Sequence, residues 1–329
     1  MTAAKKKQKN PDPSVLIAVD GSRPSLAAVE YAARLTGLVP NMEFMLLNVL
    51  PQVPPMMQTE SKTDGQMRTR LKKLETVNRK KGDELLEKAK LHLQEHGVAE
   101  KRIRTKISKR HSGLAKDIIN EAEMGRYDAL IIGRRGLTRT QQVFMGSVSN
   151  QLIQHAANVP LWIVDGKVPK AKVLVAVDGS EASLRAVDHV AFILSNNSDA
   201  QVDFLHVTPK LQSFCAIDLG RASDQWNGGE EELEALEEEF LRNDNVCLDD
   251  FMAKAIRILS KAGFSSDRIK IIEREISMGI ARTIVKAAKD GGYSTLVLGR
   301  RGLGKSSFLG STSDRVIRRA SDLAVWLVN

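Results

Sequence analysis

Cysteine is nearly absent. Cys215 and Cys247 are the two thiols in 329 residues, and no short spacing links them. That excludes a disulfide framework or a structural zinc site and suits a reducing, cytoplasmic location. Long apolar runs are also missing. Nothing approaches the ~18 residues needed to cross a bilayer, so no membrane partner is expected. The opening "MTAAKKKQKNPDPS" lacks the apolar core of a secretory signal and reads as a disordered basic tail over residues 1–13. The six histidines are scattered without a metal-ligand pair at helical spacing, so no metal site is expected. A Gly-x-Ser-x-Gly nucleophile elbow is lacking too.

What is abundant is positive charge, a net +9. Four lysines lie in the tail, and a basic run, "RTRLKKLETVNRKK", spans 68–81. Both read as solvated surface, and nucleic acid is not expected as a partner. The corresponding segment further along, "EEELEALEEEF" at 230–240, holds seven glutamates. The two runs are either separate solvated faces or the source of a salt-sensitive attraction between copies or between chains.

The chain repeats itself. "VLIAVDGSRPSLAAV" at 15–29 and "VLVAVDGSEASLRAV" at 173–187 share eleven of fifteen positions. "YDALIIGRRGL" at 127–137 is answered by "YSTLVLGRRGL" at 293–303. The expected domains are 14–166 and 171–329, joined near the polar "DGKVPKAK".

Periodicity supplies the coarse structure. "VLIAV" is a strand buried on both faces, ending at Asp20. Ser22 caps a helix in which Leu26, Val29 and Ala33 recur at helical spacing. Further strands are expected at 42–49, 102–108, 128–132 and 160–164. Helices are expected at about 66–96, 112–124 and 147–157. The second copy repeats this with strands near 173–177, 201–207, 269–275, 294–298 and 323–328. The fold class is therefore α/β, two repeated doubly wound domains. Each is expected to be a five-stranded parallel sheet of order 3-2-1-4-5 with helices on both faces. The irregular stretch 209–229 leaves the second strand of copy two and could fold over its crevice as a lid.

In such sheets the ligand crevice lies beyond the carboxyl ends of the strands. There the loops after strands one and four lie side by side. Asp20-Gly21-Ser22, with Asp178-Gly179-Ser180 in copy two, offers a carboxylate for a ribose hydroxyl or base amine, or else a plain Asx-turn. Gly133-Arg134-Arg135-Gly136, nine residues, then Gly146-Ser147 offers glycine amides, a helix start and positive charge from Arg134, Arg135 and Arg139, a phosphate cradle. His111-Ser112 and His206 sit near strand ends and read as packed or capping residues, since Asn48 aligns with His206.

These motifs resemble the universal stress protein family, as two fused domains, over nearly the whole chain past the tail. The family signature is glycine, two residues, glycine, nine residues, glycine, then serine or threonine, and copy one fits it in full. The resemblance implies binding of ATP or a related adenine nucleotide, AMP or cyclic AMP among them, with or without magnesium. It implies Ala18, Asp20 and Val49 around the base and ribose. Ile132, Gly133, Gly136, Gly146, Ser147 and Val148 would lie around the ribose and phosphates. In copy two the matching positions are Ala176, Asp178, Val207, Leu298, Gly299, Gly302, Gly310, Ser311 and Thr312. That copy departs from the pattern, with seven residues, "LGKSSFL", between Gly302 and Gly310. Its loop must take another path over the phosphates, and Lys305 could reach one as a point charge.

The implied role is a stress-response sensor or binding module without assigned catalytic residues. The alternatives are a slow nucleotide hydrolase and a nucleotide-free partner scaffold. Family members commonly dimerise through their fifth strands, so the two copies are expected to pair this way within one chain, with a further homodimer open to them. "GRRGLGKSS" at 299–307 also fits the spacing of a phosphate-binding P-loop. A P-loop helix, however, starts at the Lys-Ser pair, and usually an aspartate ending another strand binds magnesium. Here the next helix is expected only at Gly310-Ser311, and copy one lacks the motif.

Overall fold

A computed structural model describes residues 11–134, 146–166, 168, 172–195, 197, 200–208, 229–276, 279–302 and 309–329. Arg135, Gly136, Arg139, Lys305, most of the tail and nearly all of the stretch 209–229 lie outside the described residues. The chain divides into two compact units. The first is Met1–Ala171 with Ala320–Leu327 and Asn329; the second is Lys172–Arg319 with Val328.

The first unit starts with β1 (Ser14–Ala18), whose apolar run is buried between two parallel neighbours. Val15 stands opposite Phe44 of β2 (Glu43–Val49) on one side and Ala129 of β4 (Ala129–Gly133) on the other. Helix α1 (Arg23–Leu35) begins where Ser22 Oγ accepts the Ser25 amide at 3.2 Å, with Pro24 in its first turn. A short helix α2 (Pro55–Thr63) precedes the long α3 (Gly65–Glu95). Strand β3 (Ile103–Ser108) lies at the sheet edge, polar and mostly exposed, as its alternating sequence implies. Helices α4 (Leu114–Met124) and α5 (Ser147–His155) pack together, as do α1 and α3. β5 (Leu161–Val164) is wholly buried.

In the second unit β6 (Val173–Val177), β7 (Val202–Thr208), β8 (Ile269–Glu275) and β9 (Thr295–Gly299) form a parallel sheet of order β8-β7-β6-β9. Its helices are α6 (Glu181–Leu194), α7 (Gly229–Lys261), α8 (Ile280–Asp290) and α9 (Ser311–Arg319). Buried Asp203 is satisfied by the Tyr293 hydroxyl at 2.5 Å, and burial together with that carboxylate raises the phenol's pKa.

The doubly wound α/β repeat is as expected, but the strand count differs in detail. The last strand, β10 (Ala324–Val328), groups with the first unit apart from Val328. There it pairs antiparallel with β5, Trp326 opposite Trp162. The two indoles stack at 3.9 Å, and Trp326 Nε1 donates to the Tyr31 hydroxyl at 2.8 Å. By compact unit the first thus holds six strands and the second four, while each repeat still supplies five in sequence. The pairing covers β5, fully apolar, which would otherwise be an exposed edge.

Candidate functional site

Because β1 lies between β2 and β4, the segments leaving all three strands converge at one end of the first sheet. A cavity of about 460 Å³ opens there, within the size range of small-molecule sites. Ala18, Asp20 and Val49 line it from the ends of β1 and β2. Ile132, Gly133, Gly146, Ser147 and Val148 line it from β4 and the start of α5. Leu47, Leu50, Leu85, Leu114, Ile118 and Leu152 supply apolar wall.

Asp20 is exposed and lies just past the end of β1. Its Oδ1 accepts the Ser22 amide at 2.9 Å, an Asx-turn that aims the carboxylate. Gly21 takes φ +78°, a left-handed conformation that favours glycine. A side chain there would also run into Leu85. Asn48 is buried and ties the ends of β1 and β2 together, its Nδ2 donating to the Val19 carbonyl at 2.7 Å.

The β4–α5 side offers amides. Helix α5 begins after Gly146, and among the described residues no side chain caps it. Its first-turn N–H groups, with the positive end of the helix dipole, lie at the cavity wall beside the exposed Ser147 hydroxyl. Ser149 Oγ donates to the Gly133 carbonyl at 3.0 Å, which fixes the helix to the end of β4.

One expectation needs correcting here, and one glycine has a second reason to be small. Gly133 lines the cavity, and a Cβ on it would strike the backbone of Pro24. Its smallness is required by the start of α1. Arg134 is expected to supply cradle charge, but its side chain is buried. Its Nη1 donates to Asp165 Oδ2 at 3.0 Å and to the Ala320 carbonyl. The matching Arg300 is buried too, and burial with the adjacent Arg301 lowers its pKa to about 10.

Sequence reasoning missed the contribution of α3. Asn78, Lys81, Gly82 and Leu85 all line the cavity, and Arg110 joins them from the β3–α4 turn. The basic run read as a solvated face therefore ends in the site. Gly82, in mid-helix, was a legible signal, because glycine there is unfavourable unless something needs the space. A Cβ at Gly82 would sit 2.9 Å from Asn48 Oδ1 and 3.2 Å from Leu50 Cδ2.

The second repeat arranges the same residue types differently. Asp178 Oδ1 accepts the Ser180 amide at 3.1 Å, the Ser180 hydroxyl at 2.6 Å and the Ser183 hydroxyl. Ala176, Val207 and Leu298 are buried, Gly299 is packed on Ala182, and Gly302 lies against Asp178. Gly310 donates its amide to the Arg300 carbonyl at 2.8 Å, and Ser311 and Thr312 open α9. His206 contacts the Val177 carbonyl through Nδ1 at 3.3 Å and Asp244 Oδ2 through Nε2 at 2.9 Å. That is a packed role, matching Asn48. At His111 and Ser112 the backbone amides donate to Asp117, whose carboxyl pKa falls below its usual value: burial alone would raise it, but these bonds outweigh that.

Among the described residues no group of three or more His, Cys, Asp or Glu is placed to hold a metal, and no helix is long and apolar enough to cross a membrane.

Comparison with known proteins agrees with this architecture. The universal stress protein family model matches twice, over residues 13–165 and 171–328. A universal stress protein of Mycobacterium tuberculosis is 27% identical over 237 residues, covering 68% of this chain and 71% of that protein. One from Mycobacterium bovis matches to the same extent. Among solved structures, a universal stress protein from Archaeoglobus fulgidus superposes with a TM-score of 0.60 at 19% identity, covering 97% of this chain and 98% of its own. A putative universal stress protein from Pseudomonas aeruginosa gives 0.50 at 16% identity, covering 96% and 92%. With both repeats matched, the chain belongs to the universal stress protein family.

Proposed function

We propose that the first repeat binds an adenine nucleotide, ATP or a relative such as AMP or cyclic AMP, and acts as a ligand-sensing module in a stress response. The observation that carries this reading is that Asp20 and the uncapped start of α5 line one cavity of about 460 Å³. A carboxylate accepts hydrogen bonds from ribose hydroxyls or a base amine, while helix-start amides and the Ser147 hydroxyl suit phosphate oxygens. The apolar wall between them suits the faces of a purine. Lys81 and Arg110 add positive charge to the same space. Gly136 belongs to the phosphate loop in this reading, and magnesium would arrive on the phosphates.

In the second repeat, Ala176, Asp178, Val207, Leu298, Gly299, Gly302, Gly310, Ser311 and Thr312 would form a weaker site. Its carboxylate is already engaged by three donors. Mass spectrometry of small molecules released from denatured protein, with calorimetric titration of ATP, AMP and cyclic AMP, tests the proposal. An adenine nucleotide is expected in the first experiment, or micromolar-range heat in the second. Protein that neither carries nor binds any of them at millimolar concentration would point to the scaffold reading instead.

A further inference from the structure

The long helix of each repeat serves its own sheet along only part of its length. In α3 the first buried residue is Gly82, followed by Leu86, Ala89 and Leu93. In α7, among the described residues, it is Leu248, followed by Phe251, Met252, Ala255 and Leu259. Among the described residues, 65–81 and 231–247 are thus helical arms with no fully buried side chain, tied to their units by half-buried contacts such as Asp244 on His206. Each is roughly 25 Å long at 1.5 Å per residue. Helices of this length are marginal in water on their own; α2 packs against the first of them.

Each arm carries a stripe of one sign. On α3, Arg70, Lys73, Val77 and Lys80 recur at helical spacing, all exposed, with Val77 56% accessible. On α7, Glu231, Glu234, Glu238 and Leu241 do the same, with Leu241 37% accessible. Among the described residues none of these six charges has an ion-pair partner. Like charges at this spacing destabilise their own helix. A stripe of opposite sign with an apolar residue in its line would relieve both arms and cover Val77 and Leu241.

We propose that the basic arm of one chain docks along the acidic arm of a second copy, and that two such contacts close a dimer. Every chain carries one arm of each sign, so two copies satisfy all four arms at once. Complementary charge fixes the pairing and excludes basic-on-basic contact. The nucleotide proposal is independent of this one.

Sedimentation equilibrium of the full chain tests it, after nuclease treatment. A dimer is expected whose dissociation constant rises at least tenfold between 50 and 500 mM salt. The triple variant Arg70→Gln, Lys73→Gln, Lys80→Gln should weaken it without adding repulsion. Two charge-reversed chains give the sharper reading. One carries Arg70→Glu, Lys73→Glu and Lys80→Glu; the other carries Glu231→Lys, Glu234→Lys and Glu238→Lys. Each alone should be monomeric, and an equimolar mixture should form a one-to-one complex. A monomer at low salt, an association indifferent to salt and to reversal, a complex lost with nuclease, or a mixture that stays monomeric would each overturn it.

Discussion

Gly302 rests against Asp178. A methyl group on its α-carbon would overlap the aspartate's Oδ2, while Oδ1 accepts from Ser180 and Ser183. Asp20 occupies the same Asp-Gly-Ser-x-x-Ser context, yet among the described residues its carboxylate accepts from the Ser22 amide alone. Ser25 there turns its hydroxyl to the Ser22 carbonyl. One carboxylate thus has an oxygen engaged by its own turn and helix start, and the other is left to the cavity.

Aspartate substitutions should therefore separate. Asp20→Ala should weaken nucleotide binding about tenfold, the loss of one charge-assisted hydrogen bond, with little change in stability. Asp178→Ala should lower stability by about 1–3 kcal/mol, because the serine donors lose their acceptor, and leave the tighter affinity unchanged. Calorimetry should give about one nucleotide per chain at concentrations that saturate the first site. Denaturant titration supplies the stability values.

Gly133→Val is a poor probe of phosphate binding. Its side chain would meet Pro24, so even ligand-free protein should lose several kcal/mol, in line with other overpacking at a buried backbone contact. Ser147→Ala is the informative change. The residue is exposed at the start of α5, so thermal unfolding should hardly move while affinity falls a few-fold.

The helix glycine at the cavity gives a third test. Gly82 precedes Gly97 by the same interval that Leu248 precedes Gly263. Gly82→Leu installs the second repeat's residue where even a Cβ would sit 2.9 Å from Asn48 Oδ1. Replacing a mid-helix glycine gains up to about 1 kcal/mol in helix propensity. The larger side chain should fill the cavity, and nucleotide binding should drop more than tenfold in a fluorescence or calorimetric titration. Binding at the original affinity would show that the ligand does not use this wall.

Stability should fall with acid through His189. This side chain is buried in α6, and burial lowers its pKa from 6.5 to about 3. Between those values the unfolded chain takes up a proton that the folded chain refuses. The contribution is complete above pH 6.5 and is lost as pH falls toward 3, at up to about 1.4 kcal/mol per pH unit. His189→Gln should flatten that part of the stability profile relative to the parent protein when both are unfolded with urea from pH 7 to pH 4.

Much of the architecture was written locally. The buried run ending at Asp20, the Ser22 and Ser180 caps and the repeat itself depend on residues near one another in the chain, so periodicity reveals them. The same holds for Ser147, which follows from the expected start of a helix; Ala18, Val49 and Ile132 rest on the family resemblance. Helix α2 was not legible, because its Pro54-Pro55 start reads equally well as a turn.

The sequence by itself determined the fold, the duplication and the end of the sheet at which a ligand would sit, because hydrophobic period and turn chemistry act over a few residues. Tertiary structure alone decided what each side chain there is free to do. It set Gly133 under Pro24, turned Arg134 to Asp165, brought Lys81 and Arg110 to the cavity and gave β10 to the first unit. Those outcomes depend on which helix crosses which strand and how closely, a distance between residues far apart in the chain.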